Sequence, residues 1–351
     1  MTPIYFHSGM AGAPQYANAD GNLPDIIWAC LGTGFNTRTA TSASASGGIL
    51  TLNFSSDPGF EALQTVEIAV SAVPAVNGIR KVVANANNQV TIAIPGLPDG
   101  AVASSGAGIT IKQAGAGWSK PFSSATKAVF RPPAGNRRYL QCEHVVGDNM
   151  KARGYKNMTD VDTGINPFPT VAQDAPSLAI YNAAYGTTVN APWVLIATDK
   201  WVIFSLANAP VVVYSVGMLI FGDLASTVVA DDIDNTVLKN LFYSYLSGDY
   251  SKSSSGSVAA VFEGFQGASA SFPSVIDGGA VFLPYYPILE SGNNVLRGVL
   301  PNAYKVYPAV PGNRFLDTYS NVAGVNGRLK PIGALASSMH FAIAIDEEAW
   351  Y

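Results

Sequence analysis

Gln89–Gly96 reads QVTIAIPG: Val90, Ile92 and Ile94 alternate with Thr91 and Ala93 until Pro95 and Gly96 end the run. Apolar side chains at every second position turn one face of a strand toward a core and the other toward solvent. The same period appears upstream, where Val66, Ile68 and Val70 alternate with Glu67, Ala69 and Ser71, and downstream, where Ile109 and Ile111 flank Thr110. Pro74–Gly78 (PAVNG), Asn85–Asn88 (NANN) and Pro98–Gly100 (PDG) supply the pre-set or positive φ angles that turns between such strands need. Residues 49–113 therefore read as a small β-sandwich or partial barrel of about six strands.

Before this domain, residues 1–48 are rich in turn formers and end in TATSASASGG, which offers no bulky side chain for a core. Ile4, Tyr5, Phe6, Ile26, Ile27 and Trp28 stand in this segment with little periodicity. They predict an assembly arm that leans on a neighbouring surface and whose removal leaves a folded remainder beginning near Ile49; the alternative is a segment that packs on its own chain as an edge strand or domain cover, whose removal exposes strand edges and leads to aggregation. After the domain, residues 114–351 read as one larger, sheet-rich α+β domain. PWVLIATDKWVIFSL gives two strands joined through Thr198, Asp199 and Lys200, and APVVVYSVGMLIFGDL continues the sheet. One amphipathic helix is predicted near 231–247, where Ile233, Val237, Leu241 and Tyr245 recur every four residues between a capping Asp231 and Gly248. The whole chain reads as mainly β with some helix.

Composition excludes several classes of function. Of 351 residues, 48% are hydrophobic and only 13% charged, about half the usual quarter, so much of the surface is expected to be covered by neighbours. A net charge of −4 without a long Lys or Arg run argues against nucleic acid. No basic and apolar leader opens the chain, and its longest apolar stretch is interrupted by Ser215 and Gly217, which predicts neither a signal peptide nor a membrane helix. Cys30 and Cys142 read as two buried free thiols.

Motifs with catalytic chemistry are missing: there is no G-x-x-x-x-G-K, G-x-S-x-G, H-E-x-x-H or C-x-x-C. His7, His144 and His340 are scattered, and His144 in YLQCEHVV reads as a strand residue with its hydrogen bonds satisfied. Two acidic clusters are the only candidate cation ligands. Asp160 and Asp162 in MTDVDTG resemble the start of a calcium loop but lack the bidentate Glu that completes one. Asp231, Asp232 and Asp234 are the second cluster. The plainer readings are an Asx turn for the first and a capped helix start for the second. No cofactor is implied, and an enzyme is disfavoured.

One stretch fits neither loop nor linker: GAGWSKPFSSATKAVFRPP, Gly115–Pro133. It is followed by NRRYLQCEH, by ARGYKNMTDVDTGINPFPT, by PWVLIATDKWVIFSL and FGDL, and by LRGVLPNAYKVYPAV and NRFLDTYS. This series resembles virion structural proteins of tailed bacteriophages and prophages, with their G-W-x-K-P-F, K-A-V-aromatic-R, M-T-D-V-D-T-G and R-G-x-L-P-G-x-Y motifs. The likeness covers most of residues 66–320, and Asn302 replaces the usual glycine of the last motif. The resemblance implies a non-catalytic component of a tail, baseplate or tip module, made in the bacterial cytoplasm and incorporated into the virion as a symmetric oligomer. Its implied partners are other virion proteins and copies of itself, with no nucleic acid and no membrane insertion. On that reading Gly117, Trp118, Pro121 and Phe122 form a domain junction: the glycine frees a turn, the aromatics dock it and the proline stiffens it. Alternatives are a head decoration or head–tail component, a host receptor or glycan binder using exposed loop aromatics such as Tyr285 and Tyr286, and a glycan-degrading tail enzyme using the acidic clusters.

Overall fold

The computed structural model describes residues 2–146, 150–168, 190–209, 212–223, 225–226, 236–242, 252–253, 256–260, 281–290, 296–311, 328–335 and 338–345. They form two units, one of Ile4–Pro14 and Ala29–Ala116, the other of Met1–Pro3, Gln15–Trp28 and Gly117–Tyr351. The chain is mostly β, as the alternating runs predict.

The first unit contains β1 (Ile4–His7), β2 (Phe35–Thr39), β3 (Ser42–Ser46), β4 (Ile49–Asn53), β5 (Thr65–Ala69), β6 (Gly78–Ala86), β7 (Gln89–Ala93), β8 (Gly100–Ala101) and β9 (Thr110–Gln113). An eight-stranded sheet in the order β2-β9-β5-β6-β7-β4-β3-β8 curls into a half-barrel. The inward residues are those the period selects: Leu50, Leu52, Val66, Val82, Val90, Ile92 and Ile111 have no solvent exposure. Each such aliphatic contributes about 1.5–3 kcal/mol over an exposed one. Turn chemistry fixes the register. Asn77 accepts from the Ser71 amide through Oδ1 at 2.9 Å and donates through Nδ2 to the Ser71 carbonyl at 3.1 Å, imitating a backbone pair. Asn88 Nδ2 donates to the Phe54 carbonyl, and Asp99 Oδ1 accepts from the Gly47 amide. Inside, the Gln64 side chain accepts from the Glu61 amide at 2.7 Å and donates to the buried Gln113 carboxamide.

The expectation of an assembly arm over residues 1–48 is corrected in favour of its alternative, a segment packed on its own chain. Ile4 and Phe6 are buried in this unit, and the Phe6 ring lies 6.2 Å from that of Phe35. Tyr5 stacks on His7, whose Nε2 is 3.4 Å from Glu61. The SASAS run is strand β3, fully paired with β4. Small residues suffice there because β4 and β7 supply the bulk of the core, and Ala45 fills its inner face.

The second unit begins with helix α1 (Asn22–Trp28), with Pro24 in its first turn and Leu23, Ile26 and Ile27 buried. Its Trp28 ring stacks on Phe130 at 6.4 Å, with the Lys120 ammonium 5.2 Å from the indole. The four other predicted arm residues besides Tyr5 and Trp28 are thus core residues of their own chain, two in each unit.

Five antiparallel strands follow as a meander: β10 (Ser119–Ser123), β11 (Lys127–Arg131), β12 (Tyr139–Glu143), β13 (Lys151–Met158) and β14 (Gly164–Phe168). Gly154 pairs with Phe168, and a Cβ at Gly154 would lie 2.2 Å from that ring, so the ring covers a position only glycine can hold.

The remaining strands are β15 (Trp193–Ala197), β16 (Trp201–Ala209), β17 (Val212–Asp223), β18 (Ala225–Ser226), β19 (Thr236–Phe242), β20 (Lys252–Ser253), β21 (Gly256–Ala260), β22 (Val281–Glu290), β23 (Leu296–Pro311), β24 (Leu329–Leu335) and β25 (Ser338–Ala344). Their order is β15-β16-β17-β19-β20-β21-β22-β23-β25-β24, with β18 also on β23.

The predicted helix near 231–247 is corrected over 236–242, which is strand β19, paired to β17 from Asp223↔Thr236 to Gly217↔Phe242. A four-residue spacing is also a multiple of two, so Val237 and Leu241 share a strand face as readily as a helix face. The rest of that prediction lies outside the described residues.

Candidate functional site

The unit boundary falls between Ala116 and Gly117, against the expected 113/114 division. Gly117 holds φ at +80°, a conformation that favours glycine although nothing crowds its Cβ position. Trp118 follows, 3% exposed, and its Nε1 donates to the Thr198 carbonyl at 2.7 Å. Thr198 also closes the β15–β16 turn, its Oγ1 accepting from the Lys200 and Trp201 amides at 3.1 and 3.2 Å. The Trp118 ring meets Phe221 edge-on at 6.2 Å, and Phe221 stacks on Phe168. Phe122 packs with Val129, Tyr139, Tyr155 and Met158, while Pro121 is exposed in β10. Trp118 is conspicuous in the sequence; Thr198 is not, because nothing local marks a carbonyl that closes a distant turn.

The Asp160 turn closes on itself. Asp160 Oδ1 accepts from the Asp162 and Thr163 amides at 2.7 and 2.9 Å, which holds its carboxyl below its ordinary value. Asp162 Oδ1 accepts from Lys127 Nζ at 2.6 Å, and Glu143 lies 3.6 Å from the same ammonium. The hydrogen bond that Lys127 donates to Asp162 is the main cause that raises the Lys127 pKa. Gln141 Nε2 donates to the Val161 carbonyl at 2.5 Å, fastening the turn across the meander. Among the described residues no three His, Cys, Asp or Glu are grouped to hold a metal ion. Asp231, Asp232 and Asp234 lie outside the described residues, and the expectation that Tyr285 and Tyr286 are loop aromatics is corrected, because both fall on strand β22.

A second carboxylate does structural work that the sequence does not announce. Asp223 Oδ2 accepts from the Asn136 amide at 2.6 Å, and its Oδ1 accepts from Thr236 Oγ1 at 2.5 Å. This fastens the β11–β12 hairpin tip to the ends of β17 and β19.

His144 corrects its prediction. It lies just beyond β12, fully buried, and neither ring nitrogen has a well-formed hydrogen bond among the described residues. Burial lowers its pKa, while the Ala19 carbonyl and the Asp20 charge oppose that shift. Cys30 and Cys142 are free and buried, and loss of solvent pushes both thiols up.

No protein-family model matches the chain, and no curated protein matches it.

Proposed function

We propose that the chain is a structural component of a tailed bacteriophage virion, at the tail baseplate or tip, repeated around a symmetry axis. The observation that supports this most is how the segments carrying the resemblance use their polar groups. Lys127 of KAVFR holds Asp162 of MTDVDTG, and Gln141 of the RYLQCE strand holds the Val161 carbonyl of the same turn. Motifs far apart in sequence serve to bind strands and a turn into one module. That is architecture, where a catalyst would need a nucleophile or acid beside an oriented base.

The test is direct. Particles released by the bacterium that carries the gene are purified, analysed by mass spectrometry and labelled with an antibody to the chain. The expected result is several copies per particle, labelled at the distal end of the tail. Label on the head would move the chain to a decoration or head–tail role, and particles lacking it would overturn the virion reading.

A further inference from the structure

The five-stranded meander is a cationic island in an acidic chain. Residues 117–168 hold eight Lys and Arg against four Asp and Glu, a net of +4, whereas the whole chain is −4, so everything else sums to −8. The described carboxylates of the meander are already engaged, Glu143 and Asp162 by Lys127 and Asp160 by the amides of its own turn. At one end Lys127, Glu143 and Lys151 are cross-strand neighbours and Asp162 pairs with Lys127, so opposite charges meet. At the other end stand Arg131, Arg137, Arg138 and Lys156.

This end is built rather than incidental. The Arg131 guanidinium sits 4.8 Å from the Tyr139 ring centre, and its Nε donates to the Arg137 carbonyl at 3.1 Å. Arg138 reaches the Lys156 carbonyl. Arg137 is exposed at φ +54° in a tip that Asp223 clamps through Asn136. Among the described residues no carboxylate lies within ion-pair distance of Arg131, Arg137 or Lys156. Fixed guanidinium groups lose little conformational freedom on meeting a carboxylate.

We propose that this end of the meander is one half of a head-to-tail contact between copies of the chain, its occupant being the acidic remainder of a second copy. Like charges forbid the patch from facing itself, which excludes a two-fold contact through it and leaves a heterologous one that closes into a ring or grows as a filament. A long polyanion is the poorer partner, because the −8 remainder would repel it wherever it ran beyond the patch. The proposal rests on the virion reading for the need to repeat a contact, but its test needs no particle.

Sedimentation of the purified chain at about 50 mM and about 500 mM salt reads the contact, since screening shortens from about 14 Å to about 4 Å over that range. Association at low salt, lost at high salt, is expected. The double variant Arg137→Glu, Lys156→Glu should weaken it by about tenfold or more at low salt, with an unchanged melting profile. The control Lys81→Glu, in the other unit, should leave it intact. A chain that stays at 36.7 kDa at low salt, association that survives high salt, or a double variant that associates normally would each overturn the proposal. So would heparin binding that the double variant abolishes while self-association persists. A chain found in particles but not self-associating this way would sink this contact and leave the virion reading standing.

Discussion

Trp118 and Thr198, eighty positions apart, are joined by one hydrogen bond, from the indole Nε1 to the Thr198 carbonyl at 2.7 Å. The bond ties the first residues after the unit boundary to the turn between β15 and β16, and the ring beside it is buried against Phe221.

Removing the ring should therefore cost more than removing the donor. Trp118→Ala is expected to lower stability by about 3–5 kcal/mol through the cavity it leaves. Trp118→Phe keeps most of the packing but orphans a buried carbonyl, at about 1–3 kcal/mol. Chemical denaturation of both variants, followed by far-UV circular dichroism, gives the comparison. A Trp118→Ala loss below about 1 kcal/mol would mean that the ring anchors nothing.

Asn302 occupies the place where the resembling motif has glycine, and it adopts φ +61°, the left-handed region glycine enters freely. It is fully buried at an irregularity in the β22–β23 register, between the pairs Pro284↔Tyr304 and Tyr286↔Leu300. Asparagine tolerates this region better than other side-chain-bearing residues. Asn302→Ala should destabilise by about 1–2 kcal/mol, and Asn302→Val by more, because a β-branched side chain crowds the same backbone. Thermal melts of both variants read the order; equal melting temperatures for wild type and Asn302→Val would refute the strain argument.

The residues that could be read correctly from sequence were those whose pattern is local. Val66, Ile68, Val90 and Ile92 alternate and are buried as alternation requires. The four-residue spacing of Val237 and Leu241 fits both a helix and a strand face, and only pairing to β17 decides between them. Phe6 and Ile27 sit in short apolar clusters that are set among Gly, Ala, Asn and Ser and have no sustained period, so nothing local assigns them a buried face, yet both are fully buried. At the candidate site, Trp118, Asp160 and Asp162 stand out by residue type. Thr198, Asn136 and Thr236 do not, because they act through long-range hydrogen bonds that leave no periodic trace.

Stability should depend on pH through His144. Its folded pKa lies below the ordinary 6.5, so between those two values the unfolded chain binds the proton that the folded chain refuses. Stability contributed by the neutral ring is present above 6.5 and falls as pH drops toward the folded pKa. His144→Phe should flatten the acid limb of melting temperature against pH, while the Asp160 turn, whose carboxyl is held low, keeps its own loss at more acid pH. An acid limb identical in wild type and variant would remove His144 as its cause.

The Asp160 turn should ignore calcium. Its carboxylate already accepts two backbone amides, and Asp162 is engaged by Lys127. Melting curves with chelator and with added calcium are expected to superimpose. A calcium-dependent rise would show that these carboxylates exchange their present partners for a cation, since a ligand that binds only the folded state stabilises it.

Deletion of residues 1–40 should leave no folded remainder. The deletion removes β2, an edge strand paired to β9 through Arg38↔Ile111 and Thr39↔Thr110, and so leaves β9 as an uncovered edge. It removes helix α1, whose Ile26 and Ile27 are fully buried, and the Trp28 ring stacked on Phe130. It also removes Phe6 and Met10, both buried in the half-barrel unit. Losses of about 2–5 kcal/mol for each large buried side chain exceed a typical domain's whole stability of about 5–15 kcal/mol once several are taken together. The truncated chain should therefore be insoluble or lack a cooperative melt, and Ile27→Ala should show the same weakness in milder form, at about 2–5 kcal/mol. Soluble truncated protein with a sharp melt and native far-UV circular dichroism would contradict this, and would restore the N-terminal segment as a separable arm.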